Sequence, residues 1–429
     1  MQNYSKIGAI EKPGFGGAAS KVTIQADGKT VLPGLVDIHV HLRDPGLDYK
    51  EDFRTGTMAA AAGGVTTVLD MPNNLPPITT GERFAQKRGL AAQKAIVDYG
   101  LYASASGVEH YENFAAQEAI GLKLYMEEAH RKGSPYGSEL TVTDDGQVWE
   151  IFCRAAKVGL PVAVHLDTAS ITRKLRDELS HKEQTWEHYY TLQNSIATEV
   201  ALAKLLVMSE ASGADLHVSH VLSIGCLRRV KEAKDAGKRF TADCIVPALS
   251  LDDMMRLGPY AIPLGRPDEE NKLFWKMLSD SVLDCVITDH APHSKEEKDQ
   301  GWSDIWSSPP GAPGLETVLG ILLTRVHDGL MDLHEVVRMA CLRPAEVVGI
   351  RDRKGSIEEG KDADLVIVDL EEKWKVLNDQ LNTKCGWSPF DGQELVGRPK
   401  MTILRGNVIM EDSKVVGTAG YGTYIMRAG

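Results

Sequence analysis

The sequence has no run of about 18 apolar residues, the length a helix needs to cross a bilayer. Its first residues, MQNYSKIGAIEKPGF, carry no basic start followed by an apolar core, so no secretory leader is expected there. No Cys-x-x-Cys pair occurs. The six cysteines (Cys153, Cys226, Cys244, Cys285, Cys341, Cys385) are scattered, which speaks against a disulfide framework or a structural zinc knuckle. They suit a reducing cytoplasm and read as small buried hydrophobes. No Gly-x-Gly-x-x-Gly turn follows any apolar run, which removes support for a dinucleotide-binding sheet. Positive charge is in deficit. A net charge of -12 argues against a nucleic-acid partner but leaves room for an anionic substrate, because a local cation cluster can oppose the overall field. Fixed-period repeats and low-complexity segments are also lacking.

What is present is a chain of 429 residues, long enough for one large enzyme domain and a smaller appendage. Short β-branched runs alternate with helical stretches. The candidate strands are 35–42, 65–71, 97–103, 121–126, 161–166, 215–221, 239–246 and 283–289, with helices such as 52–64 and 198–213 between them. Eight strands alternating with helices predict an α/β chain built as a (β/α)8 TIM-type barrel, with a doubly wound open sheet as the structural alternative. The ends differ. Residues 20–31, 355–369 and 400–416 are strand-like and turn-rich, and predict one small β domain formed from both termini. The expected divisions are 32–349 for the barrel, with 1–31 and 350–429 forming the small β domain. The polar, Gly- and Pro-bearing stretch 294–313 reads as a long loop.

The chemistry-bearing residues cluster at strand ends. Alternation along the first strand puts His39 and His41 on one face, a natural metal pair at the mouth of a barrel. Taken alone, two ordinary histidines beside a surface turn would read the same way. His165 closes PVAVH, His220 closes DLHVSH, Asp289 closes CVITD, and Lys123 sits inside GLKLYM. Chance would scatter such residues along the strands rather than gather them at one end. A lysine among apolar neighbours is pushed towards its neutral amine, which can take up carbon dioxide and become a metal-bridging carbamate; the plain alternative is a lysine with its head in solvent. Asp289 can both hold a metal and move a proton. Arg43 and Asn73 follow the first two strands, and His293 lies four residues beyond Asp289, so the three could receive a substrate carboxylate. The plain alternative for Arg43 is a salt bridge to Asp44 or Glu51. His290 and His217 are out of phase with the ligand positions and read as structural. His110, His130, His181, His188, His327 and His334 read as solvated.

At this point VLPGLVDIHVHLRDPG, AAAAGGVTTVLDMPNN, GLKLY, TDHAPH, PGAPGLET and KGSIEEGKDADLVIVD together resemble the dihydroorotase family of the amidohydrolase superfamily. The likeness runs over roughly residues 31–350 and into the C-terminal β segment. It implies two zinc ions per chain. His39, His41 and Asp289 would hold one, His165 and His220 the other, with carboxylated Lys123 and a hydroxide between them. It implies reversible opening of the dihydroorotate ring to N-carbamoyl-aspartate, with Asp289 as proton shuttle. It assigns Arg43, Asn73 and His293 to the substrate carboxylate and the Pro313–Gly314 backbone to the ring. A small anionic cyclic amide substrate, a cytoplasmic setting, a homo-oligomer and association with aspartate transcarbamoylase are the corresponding expectations; nucleic acid and membrane are not expected. The sequence departs from the family pattern at ADCIVPALS (242–250), AIPLGR (261–266) and LRPA (342–345), all in substrate surroundings. These departures keep alive a hydantoinase- or allantoinase-like hydrolase of another cyclic amide, imide or lactone. A non-catalytic homologue should have lost metal ligands, and all six expected positions are filled.

Overall fold

The computed structural model describes residues 5–10, 23–129 and 137–428. His130, most of the segment after Lys123 and the start of the expected N-terminal strand (20–22) lie outside the described residues.

Eight parallel strands form one sheet in chain order: β2 (Leu35–Val40), β3 (Val65–Asp70), β4 (Asp98–Ser104), β5 (Gly121–Tyr125), β6 (Val162–His165), β7 (Leu216–Val218), β8 (Thr241–Ile245) and β9 (Cys285–Ile287). Each falls inside a segment expected from the sequence, apart from a residue at the end of β4. Every residue of β2, β3 and β4 is buried, as befits parallel strands covered on both faces. A bridge between Val40 and His290 and the bond from His41 N–H to His290 O join the first strand to the chain just past the last, so the sheet curls into a barrel. The open-sheet alternative is excluded.

The second sheet is antiparallel and takes strands from both ends of the chain. Its order is β1 (Thr30–Pro33), β10 (Leu365–Lys375), β11 (Glu394–Leu404), β12 (Asn407–Glu411) and β13 (Lys414–Val415). It is locked to the barrel by buried charge. Lys354 Nζ lies 2.6 Å from Asp98 of β4, 3.0 Å from Asp362 and 2.5 Å from Asp364. Those three acids could have grouped around a metal ion. Lys354 sits among them instead, and Arg405 on Asp98 with Lys6 and Arg353 on Asp362 add further positive charge.

The stretch 294–313 is not a plain loop. It contains the helix Lys295–Ser303, started by a reciprocal cap in which Ser294 and Glu297 satisfy each other's backbone N–H groups. The Ser-x-x-Glu spacing is legible in the sequence; the loop reading followed from the glycine and prolines after it. Among the described residues no helix is long and apolar enough to cross a membrane. Four of the cysteines are buried, Cys153 and Cys385 are half-buried, and all six are free thiols.

Candidate metal centre

The barrel strands deliver their polar residues to one mouth. His39 is the fifth residue of β2, and its N–H is fixed by Asp37 Oδ1 at 3.1 Å. His41 follows the strand. Its Nδ1–H donates to Asn73 Oδ1 at 2.6 Å, which leaves Nε2 aimed at Asp289 Oδ1, 3.1 Å away. His39 Nε2 lies 3.5 Å from the same carboxylate oxygen. On the other side His165 Nδ1 and His220 Nε2 approach to 3.1 Å, and Asp243 accepts the His220 backbone N–H. The His39 ring bridges the two groups, with centroids 5.3 Å from His41 and 5.1 Å from His220.

Three of these positions are conformationally unusual. Arg43 (φ 63°), His220 (φ 39°) and Asp289 (φ 46°) all occupy the left-handed region without being glycine. Such geometry costs roughly 1–3 kcal/mol per residue and persists where surrounding structure enforces it, which clusters at functional sites. Here it lets side chains just past β7 and β9 turn back into the mouth.

Burial sets the protonation states. Loss of water drives His39 and His220 well below the ordinary imidazole value, reinforced by Lys123 and by the neighbouring rings. Burial also lowers His41, against the opposing pull of Asp289. These rings are therefore neutral and keep lone pairs for a cation. Burial works to raise Asp289, yet its contacts with His41, His220 and Lys123 hold it below its usual value as an anion. Lys123 is fully buried, and its Nζ has no hydrogen-bond partner among the described residues. An ammonium in that position costs several kcal/mol, and burial accordingly brings it down to about 7. A buried amine without a partner, beside neutral imidazoles and a carboxylate, is what a carbamate between two cations requires. His39, His220 and Asp289 bring ligand atoms within 4.8 Å of one another, so residues assigned to both expected cations converge on one centre. The donor set fits divalent metal.

A cavity of ≈ 130 Å³ opens from this mouth, lined by His41, His165, His220 and Asp289 together with Arg43 and Asn73. Arg43 Nε donates to Pro292 O at 3.1 Å and its Nη2 to His293 Nε2 at 3.1 Å. The salt-bridge alternative for Arg43 loses its partners. Asp44 pairs with Lys94, and Glu51 binds Thr383 and His290.

Three expected substrate contacts are not gathered here. His293 is buried behind the cavity wall, with Nδ1 3.5 Å from Glu297, and burial and Arg43 drive it well below the ordinary imidazole value. Pro313 and Gly314 line two smaller cavities instead. The Gly314 N–H is taken by His290 Nδ1 at 3.2 Å, which points it away from the mouth. Pro310 and Gly311 hold the wall that these residues were expected to form. Gly311 sits at φ 130°, where a Cβ would come within 2.6 Å of Ala291 O, so only glycine closes this wall. Lys298 holds it in place, donating to Pro309 O at 2.8 Å and Gly311 O at 3.0 Å. His290 and His217 are structural, as their phase suggested; His217 Nε2 pairs with Asp243 at 2.8 Å.

Sequence reasoning missed the rest of the lining. Glu127 lies 3.4 Å from His165 Nε2, and Asp167 directly follows HL at the end of β6. The latter was findable from its position. Arg176, Tyr189 and Gln193 come from two helices inserted after β6 and carried no motif.

A closed parallel barrel with histidines, a carboxylate and a cavity at the carboxyl ends of its strands defines the class: a barrel enzyme with a candidate metal centre. Within that class the chain belongs to the amidohydrolase family, whose model matches residues 30–409. It is 36% identical over 418 residues to a dihydroorotase of Methanothermobacter thermautotrophicus, covering 95% of this chain and 89% of the relative. It is 32% identical over 431 residues to an L-hydantoinase of Paenarthrobacter aurescens, covering 98% and 93%. The solved L-hydantoinase (dihydropyrimidinase) from Arthrobacter aurescens superposes with a TM-score of 0.93 at 31% identity, over 99% of this chain and 94% of that one. The chain is thus a cyclic amidohydrolase, and dihydroorotase and hydantoinase relatives flank it on both sides.

Proposed function

We propose that the protein is a metal-dependent hydrolase that opens the ring amide of a small anionic cyclic amide, with dihydroorotate as first substrate and N-carbamoyl-aspartate as product. The observation that carries this reading is the buried Lys123 Nζ, which has no hydrogen-bond partner among the described residues and lies within electrostatic reach of His39, His220 and Asp289. His39, His41 and Asp289 would hold one cation, and His165 and His220 the second, with carboxylated Lys123 shared between them; zinc is the metal the donor set suits. When bound, the cations activate the attacking water and polarise the ring carbonyl.

The chain's own residues do the remainder. Asp289, held as an anion, takes the proton released by the attacking water and returns it to the ring nitrogen as the carbon–nitrogen bond breaks. Asn73 fixes the His41 ring through Nδ1, so Nε2 keeps its aim. Arg43, on the cavity wall beside this pair, places a positive fork where a carboxylate can sit. His293 backs Arg43 rather than meeting substrate.

A second reading is a hydantoinase-type substrate. It is favoured by His293, Pro313 and Gly314 lying off the cavity, which leaves Arg43 with fewer companions for a carboxylate. Parallel assays of the zinc-loaded protein on dihydroorotate and on a 5-substituted hydantoin, with products identified by mass spectrometry, choose between them. Faster opening of dihydroorotate supports the first reading, and exclusive opening of the hydantoin replaces it with the second.

A further inference from the structure

We propose that two buried strand aspartates, Asp37 and Asp243, are positioning residues: each binds the backbone where the chain turns left-handed, and so aims Asp289 and His220 into the cavity. This rests on the metal-dependent reading above. It gives a task to two carboxylates that are not part of the cavity lining.

His220 and Asp289 each stand just past a barrel strand at positive φ, and neither is glycine. In both cases a carboxylate from the adjoining strand takes a backbone N–H at that point. Asp243 lies on β8 beside β7 and accepts the N–H of His220 itself. Asp37 lies on β2, across the barrel seam from β9. Its Oδ2 accepts the Thr288 N–H at 3.2 Å and the Thr288 hydroxyl, one residue before Asp289. Thr288 Oγ1 in turn accepts the His290 N–H at 3.0 Å, and His290 O accepts the His41 N–H at 2.8 Å. Both chain neighbours of Asp289 are thus tied to the segment that carries His39 and His41. The other oxygen of Asp37 takes the His39 N–H at 3.1 Å. One carboxylate therefore spans two of the proposed ligands of one cation.

The arrangement recurs at Arg43, the third left-handed residue of the mouth. Asp70 ends β3, beside β2, and its Oδ1 accepts the Leu42 N–H at 2.7 Å, one residue before Arg43. Asp37, Asp70 and Asp243 are each at most 4% exposed. An ionised acceptor makes a stronger bond to an N–H than a neutral carbonyl does, which suits it to hold a backbone conformation that side chains resist. The same bond also occurs away from the mouth. Asp364 Oδ1 accepts the N–H of Arg405, again at positive φ, in the turn between β11 and β12. The device is general in this chain; at the mouth it falls on residues whose side chains line the cavity.

The test uses the full chain with Co(II) as a spectroscopic probe, reading chelator competition and visible absorption. The two aspartates differ in how many donors they serve. Asp37 takes three donors on its two oxygens, so Asp37→Asn leaves at least one of them facing an amide N–H₂. Asp243→Asn keeps an oxygen for the His220 N–H, whereas Asp243→Ala removes it. Asp37→Asn and Asp243→Ala should each weaken Co(II) binding about 10- to 100-fold and shift the absorption bands, while Asp243→Asn stays near wild type. Wild-type affinity and spectrum in Asp37→Asn and Asp243→Ala, whatever their melting temperatures, would leave the aspartates a structural role only and overturn the proposal. Where those two variants do not fold, Thr288→Val removes the hydroxyl between Asp37 and His290, and unchanged Co(II) binding in it overturns the assignment. Metal-free crystal structures decide the matter even if wild type takes up no cobalt. Asp289 Oδ1 is expected to leave hydrogen-bond reach of His41 Nε2 in Asp37→Asn, and His220 Nε2 that of His165 Nδ1 in Asp243→Ala; unmoved side chains would overturn the proposal.

Discussion

His41 Nε2 and Asp289 Oδ1 lie 3.1 Å apart across the seam where the first barrel strand meets the last, although 248 residues separate them in the chain. The contact exists because the barrel closes. It joins the proposed metal ligand His41 to the proposed proton carrier Asp289, so the candidate site is assembled only when the whole sheet is. Asp289→Asn removes the negative charge while keeping the shape. Turnover is expected to fall about 100- to 10,000-fold, with far-ultraviolet circular dichroism and cooperative melting retained. Full activity in that variant would refute the shuttle role.

Asn73 acts through His41. With its Oδ1 removed in Asn73→Ala, the His41 ring loses the bond that fixes its tautomer and orientation. Metal affinity, measured by competition with a chelator, should weaken about 10- to 100-fold. An unchanged affinity with a raised KM would instead make Asn73 a substrate contact alone.

Lys298 gives a pH signature. Burial brings its ammonium from an ordinary 10.5 down to about 7, with Glu297 pulling the other way. Between those values the unfolded chain binds the proton and the folded chain does not. Stability from this group therefore rises with pH across that window and is lowest below it. Lys298→Met should flatten the rise of unfolding free energy between neutral and alkaline pH, as read by denaturant titration. A parallel slope in both proteins would contradict it.

Gly311 closes the cavity wall against Ala291 in a backbone conformation that a side chain resists. Gly311→Ala should lower the melting temperature and raise KM together, since wall and cavity are one structure. A rise in KM with no loss of stability would place Gly311 in direct substrate contact instead.

The barrel was legible because its strands are short, largely buried runs rich in β-branched residues that alternate with helical stretches. The candidate ligand positions stood out because His165, His220 and Asp289 lie at or just past the ends of such runs. The helix Lys295–Ser303 was hidden by the Gly-Pro-rich composition around it, though its Ser294–Glu297 cap was in plain view. The placement of His293 and Gly314 was not legible. Which way each faces depends on Glu297 and His290, and therefore on tertiary packing. Arg176 and Tyr189 belong to helices whose local pattern gives no reason to turn them inward; both meet Trp306 across the cavity cap.

The most direct test strips the protein with a chelator, restores zinc in steps, and follows ring opening against bound metal in wild type and in Lys123→Ala. The account predicts no turnover in the stripped protein, recovery as two equivalents bind, and a Lys123→Ala variant that neither retains both metals nor turns over. Turnover without metal, or a metal-replete and fully active Lys123→Ala, would contradict it.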